Sequence, residues 1–122
     1  TASEDFVTKV PDTMKPEYAA PLFCAGITAY KAVKAAEPEK NKKIAIFGIG
    51  GVGHMAIQFA KIAGCEVTGI SRKENHLNVA KELGADNTIV YGTNQEEFLE
   101  NLTNNHKLFD QNYIDLCLQA DL

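Results

Sequence analysis

The sequence predicts an α/β fold, a doubly wound parallel sheet, on three observations. Short apolar, strand-like runs occur at 44–47, 66–70, 87–91 and 113–118. Between them lie stretches whose apolar residues recur every three or four positions, the period of a helix with one buried face. Each connection is long enough to hold a helix and too long for a hairpin, which is the spacing of βαβ units and a parallel sheet.

The elements follow in chain order. Residues 6–10 read as one short strand, after which Pro11 and Pro16 bracket a turn that a strand cannot cross. A helical pattern then places Leu22, Gly26, Ala29, Tyr30, Val33 and Ala36 three or four apart. The basic run 40–43, KNKK, reads as a solvated turn before the next strand. Residues 44–47, IAIF, are continuously apolar, as in a strand buried on both faces. Val52, Met55, Ala56, Phe59, Ala60 and Ala63 form a helical stripe stopped by Gly64. The second strand, 66–70, precedes a helix lined by Leu77, Ala80 and Leu83 and closed by Gly84. A third strand covers 87–91. A third helix is marked by Phe98, Leu99 and Leu102, with Asn94 and Glu97 as its capping box, and a fourth strand covers 113–118.

An open sheet of this kind usually runs to five or six strands. The chain is therefore expected to be a segment of a longer one, truncated to about four core strands. A length of 122 residues suits one domain with a modest core. The net charge of −4 gives no reason to expect a nucleic-acid partner or an acidic membrane surface. No apolar run approaches the ~20 residues of a membrane span, and TASEDF lacks the features of a signal peptide. Cys24, Cys65 and Cys117 are odd in number and widely spaced, which argues against a disulfide framework and for a reducing, cytoplasmic location.

The chemistry concentrates in GIGGVG, residues 48–53. It fits G-x-G-x-x-G, follows a strand and opens a helix, and that context makes the pattern informative. Gly48 allows the tight turn, Gly50 lets the backbone approach a pyrophosphate, and Gly53 permits close packing of helix on strand. With Gly51 and Val52 they present the N–H groups of a helix start, which favour an anion. The fold is thus expected to be a dinucleotide-binding Rossmann sheet. Such a sheet normally carries an acidic residue ~20 residues beyond the loop, on the adenine ribose 2′-OH. Here that place holds Ser71, followed by Arg72 and Lys73. A hydroxyl and two cations attract a 2′-phosphate that a carboxylate would repel, so the ending favours NADP over NAD. Ser71 with Glu74 three residues later also fits a capping box for the second helix, and the two readings are compatible. His54 reads as neutral and partly packed at a helix start. His76 and His106 read as surface residues, and Cys65 and Cys117 as structural.

PEYAAPLFCAGITAYKAV, GIGGVGHMAIQFAKIAG and KELGADNTIV together resemble the medium-chain dehydrogenase/reductase superfamily. The nearest likeness is to its zinc-dependent alcohol dehydrogenases, in the NADP-linked cinnamyl-alcohol-dehydrogenase-like branch. That resemblance implies a two-part architecture. Residues 1–15 would end a GroES-like catalytic domain, and 16–122 would form a Rossmann domain incomplete at its C-terminus. It implies hydride transfer between NADP(H) and an alcohol or aldehyde, and a homodimeric intact protein. The cysteine of the PLxCAGxTxY pattern is a catalytic-zinc ligand in the family, which carries over to Cys24. The pattern's threonine, near the nicotinamide, carries over to Thr28. The remaining zinc ligands are expected in the catalytic domain, so the 122-residue chain alone is expected to be inactive. A backbone contact from Ala120 is a weaker expectation. Two alternatives remain: a zinc-free quinone or enoyl reductase of the same superfamily, which would lack Cys24, and a non-enzymatic nucleotide-binding module, which would need neither Cys24 nor Thr28.

Overall fold

The computed structural model describes residues 3–92, together with Glu100 and Asn104. After a 3-10 turn at Glu4–Phe6 come α1 (Pro16–Pro21), a π-helical turn (Leu22–Gly26), α2 (Ile27–Ala35), β1 (Lys43–Phe47), α3 (Gly51–Ile62), β2 (Glu66–Ser71), α4 (Glu74–Glu82) and β3 (Asn87–Val90). The three strands form a parallel sheet in the order β1-β2-β3. This is the α/β architecture that the alternation of apolar runs requires. The third helix and fourth strand expected from the sequence lie outside the described residues, as do His106, Cys117 and Ala120.

Register decides which residues meet. Ile44 pairs with Val67 and Ile46 with Gly69, so these four share one face of the sheet. On that face Ile46, Ile49, Val67 and Ala85 join Ala56, Ile57 and Ala60 of α3 and Ala80 of α4 in one core, which reaches Ala29 and Val33 of α2. Gly69 faces α4: a Cβ there would stand 3.1 Å from the Cβ of Ala80. Helix α2 stacks outside α3, with Tyr30 edge-on to Phe59 at 5.7 Å between ring centroids.

The structure corrects several expectations. Residues 6–10 are not a strand. Phe6 closes the 3-10 turn, and although Val7 is extended, no described strand pairs with this segment. Extended backbone without a ladder partner is not a sheet element. The helix expected through Leu22 and Gly26 is broken. Pro21 lies inside α1 and cannot donate to the preceding turn, and Cys24 leaves helical geometry (φ −113°, ψ 53°). Leu22 and Ala36 are exposed, and Tyr30 is exposed apart from its edge contact with Phe59. On α3 the buried stripe is Gly53, Ala56, Ile57 and Ala60, while Val52 is 44% exposed. The strand buried on both faces is β2; β1, an edge among the described strands, leaves Phe47 partly exposed.

Turns and helix ends use side chains that composition does not reveal. Gly64 and Gly84 take φ of +84° and +101° just past α3 and α4, the left-handed exit from a helix. Lys42 donates to the carbonyls of Ala36 and Glu37 at 2.7 and 2.9 Å, tying the end of α2. Asp86, just before β3, pairs with Val67. Its N–H donates to the Val67 carbonyl at 2.8 Å, and its carboxylate accepts the Val67 N–H at 2.7 Å and the Lys61 ammonium at 2.8 Å. Burial pushes the Asp86 carboxyl up, but the Lys61 hydrogen bond and charge and the Val67 N–H outweigh that and hold it below its ordinary value.

Candidate functional site

The glycine loop forms because three constraints converge on six residues. Gly48 takes φ +82°, and its N–H donates to the Ile70 carbonyl at 2.9 Å, carrying the β1–β2 ladder into the turn. Ile49 then turns inward and is only 1% exposed, an anchor that the G-x-G pattern treats as an arbitrary position. At Gly53 a Cβ would lie 2.1 Å from the Gly48 carbonyl oxygen, so α3 crosses the loop at a distance that only glycine allows. Gly50 is different. A Cβ there would meet nothing within 4 Å, and its absence leaves the backbone open to a ligand.

Gly50 is the N-cap of α3, and no side chain caps that helix. The first-turn N–H groups, at Gly51, Val52 and Gly53, are thus left for an anion. His54 closes the other side of the turn. Its N–H and its Nδ1 both reach the Gly50 carbonyl, at 2.9 and 3.0 Å, so the ring carries a proton on Nδ1.

A cleft of about 550 Å³ opens at the carboxyl ends of the strands, lined by Gly48, Gly50, Ser71, Arg72, Lys73 and His76, with Phe47, Ile49, Ile70 and Tyr91 completing its wall. This is where open α/β sheets hold their ligands. Register makes it: Phe47 pairs with Ile70 and Ser71 with Val90, so the three strands end together. Ser71 is buried at 7% exposure, and its hydroxyl accepts the Lys73 N–H at 3.4 Å. Arg72 and Lys73 are exposed on the rim. The capping box expected at Ser71 and Glu74 does not form. The N-cap of α4 is Lys73, which makes Glu74 the first helical residue and places it too early to bond back to Ser71. His76, expected at the surface, is half-buried in the cleft wall, with Nδ1 3.5 Å from Ser71 Oγ. It is the third residue of α4, beside the end of β2.

Cys24 and Thr28 stand apart from this wall, both exposed on the broken helix. The break carries that helix to the start of α3, where the position a Gly51 Cβ would take is 3.9 Å from the Cβ of Ala25. Among the described residues no group of three His, Cys, Asp or Glu side chains is placed to hold a metal ion. No described helix is long and apolar enough to cross a membrane.

Residues 51–118, more than half of the chain, match the family described as zinc-binding dehydrogenase. The chain belongs to the zinc-binding dehydrogenase family. Its relatives agree with the superfamily resemblance of its motifs. An alcohol dehydrogenase from Geobacillus stearothermophilus is 47% identical over 85 residues, which is 70% of this chain and 25% of that protein. A cinnamyl alcohol dehydrogenase structure from Sorghum bicolor superposes with a TM-score of 0.67 at 38% identity, over 80% of this chain and 28% of that one. An acetophenone reductase from Geotrichum candidum NBRC 4597, solved in complex with NAD, gives 0.66 at 37% identity, over 73% and 26%. The chain spans about a quarter of the length of the curated relatives it matches.

Proposed function

We propose that this chain is the cofactor-binding part of an NADP-dependent, zinc-dependent alcohol dehydrogenase acting on an alcohol or aldehyde. The observation that carries the reading is the cleft itself. An open backbone at Gly50 and an uncapped helix start face, across about 550 Å³, a hydroxyl and two cations at Ser71, Arg72 and Lys73. That donor set suits a dinucleotide with a phosphate at each end of its adenosine half. The loop residues Gly48, Gly50, Gly51, Val52 and Gly53 would hold the pyrophosphate, and Ser71, Arg72 and Lys73 the 2′-phosphate.

Cys24 is proposed as one zinc ligand, a thiolate sulfur suited to that metal. The other ligands would come from outside the described residues. Thr28 follows Cys24 by four residues and is proposed to border the nicotinamide. When bound, the cofactor supplies the redox chemistry and the metal a Lewis acid for the substrate oxygen. The chain's own residues would align these groups: the glycine loop would hold the pyrophosphate at the middle of the dinucleotide, while the broken helix, whose Ala25 lies beside the start of α3, carries Cys24 and Thr28. Residues 1–15 are proposed as the end of the catalytic domain, 16–122 as the dinucleotide-binding domain, and the intact protein as a cytoplasmic homodimer.

Calorimetric titration of the intact protein with NADP and NAD tests the cofactor. NADP is expected to bind more tightly, and Ser71→Asp with Arg72→Ile to reverse the order; equal affinities in the unaltered protein would remove the NADP assignment. Elemental analysis tests the metal: Cys24→Ser is expected to lower bound zinc per chain, and an unchanged zinc content would remove Cys24 from the site.

A further inference from the structure

Gly50 and Gly51 are the one place in the sequence where two glycines adjoin. The peptide between them carries the carbonyl of the α3 N-cap and the N–H of the first helical residue. In a trans peptide these two groups point in opposite directions. The Gly50 carbonyl accepts the first bond of α3, so the Gly51 N–H faces out of the helix start, where an anion would sit. Nothing intrinsic to the two residues fixes that direction. Turning the peptide over would carry Gly51 to positive φ, which glycine adopts about as readily as negative φ and other residues resist. The turned peptide would offer the anion a carbonyl oxygen in place of a donor.

His54 opposes that turn. It is the fourth residue of α3, four beyond Gly50, and helical side chains lean toward the N-terminus. Its N–H donates to the Gly50 carbonyl at 2.9 Å, the ordinary helical bond, and its Nδ1 reaches the same oxygen at 3.0 Å. A carbonyl oxygen brings no proton, so Nδ1 is the donor, and the two donors fill the oxygen's two lone pairs. A ring protonated on Nδ1 alone and a ring protonated on both nitrogens make this bond alike, so the contact requires no change of charge. The ring is half-buried, and the Gln58 amide donates to the His54 carbonyl at 3.1 Å one turn further on. Reversing the Gly50–Gly51 peptide therefore breaks two hydrogen bonds rather than one.

Resting on the reading of the glycine loop as the pyrophosphate site, we propose that His54 is a positioning residue for the cofactor: its Nδ1–H pins the Gly50–Gly51 peptide, so that the Gly51 N–H is already aimed at the pyrophosphate before the ligand arrives. His54 transfers no proton and acts only through the loop. Its gain is preorganisation, since a peptide held in one orientation loses less freedom on binding.

The test is calorimetric titration of the intact protein and two variants with NADP and NAD. His54→Leu keeps a branch at Cγ but no donor, and is expected to weaken both cofactors about fivefold, the scale of one hydrogen bond. The ratio between the two affinities should stay as in the unaltered protein, because both share the pyrophosphate and the rim at Ser71, Arg72 and Lys73 is untouched. His54→Asn carries its amide nitrogen on Cγ, as histidine carries Nδ1, and is expected to recover most of the affinity. Nitrogen-15 NMR of the unaltered protein, with the His54 signal identified by its loss in His54→Asn, is expected to show a proton on Nδ1. A bare Nδ1 with the proton on Nε2 would overturn the proposal, even where His54→Leu fails to fold. So would a His54→Leu protein that binds both cofactors as tightly as the original, or a His54→Asn protein that loses as much as His54→Leu. Each of these leaves the pyrophosphate reading standing, whereas an unaltered protein that binds neither NADP nor NAD would overturn both.

Discussion

The crossing of α3 over the glycine loop yields the sharpest prediction, because two neighbouring glycines should respond oppositely to the same change. A Cβ at Gly53 would lie 2.1 Å from the Gly48 carbonyl oxygen and 3.0 Å from its carbon. Both are backbone atoms, so no side-chain rotation relieves the overlap; the loop or the helix must move by about an ångström into a close-packed core. Gly53→Ala should therefore cost about 3 kcal/mol, the upper range of overpacking. Helix propensity alone would favour alanine there by ~1 kcal/mol, so the sign of the effect separates the two arguments. At Gly50 a Cβ meets nothing within 4 Å and the backbone is extended (φ −94°, ψ −160°), a conformation alanine adopts. Gly50→Ala should change stability by less than ~0.5 kcal/mol. It should instead weaken dinucleotide binding, because the new methyl occupies the approach to the backbone. Urea unfolding followed by far-ultraviolet circular dichroism measures the first effect, and calorimetric titration the second. A Gly53→Ala protein as stable as the original, or more so, would refute the close-crossing argument.

Other outcomes follow from the packing and from the lowered Asp86 carboxyl. Asp86→Ala removes the acceptor of the buried Val67 N–H as well as the Lys61 pair, and should cost about 1–3 kcal/mol in urea unfolding. Lys61→Met removes a partly exposed pair and a 3.3 Å bond to the Cys65 carbonyl and should cost about 1 kcal/mol or less, so a loss equal to that of Asp86→Ala would contradict the weight placed on the backbone bond. Because the folded Asp86 carboxyl is held low, its stabilisation should be fully present above its unfolded value near pH ~4 and fade as pH falls through the lowered one. The stability gap between the original protein and Asp86→Asn should shrink on acidification, and a gap that widens would refute the sign. Ile57, fully buried on α3, should cost about 2–5 kcal/mol on substitution by alanine, whereas Ile62, 82% exposed, should cost little. Gly69→Val should destabilise by roughly 1–3 kcal/mol despite its better strand propensity, because even a methyl there would stand 3.1 Å from Ala80; a neutral result would mean that α4 yields easily.

The sequence by itself determined the order of the elements and the place of the phosphate loop. Both depend on local rules: strand-like runs, a helical period, and glycines where backbone must turn or pass close. Gly48, Gly53, Gly64 and Gly84 each occupy a position that those rules demand. The Ser71-Arg72-Lys73 ending could also be placed, because it follows the loop at a known spacing. What only the tertiary structure decided is how faces and ends meet. The buried stripe of α3 runs through Gly53 and Ile57 rather than Val52, with Gly53 set against the Gly48 carbonyl. The inward turn of Ile49 and the pairing of Asp86 with Val67 depend on neighbours distant in sequence. Ser71 looked like a helix cap by spacing. The end of β2 and the start of α4 at Glu74 instead leave its hydroxyl in the cleft beside His76, a contact that no one-dimensional pattern specifies.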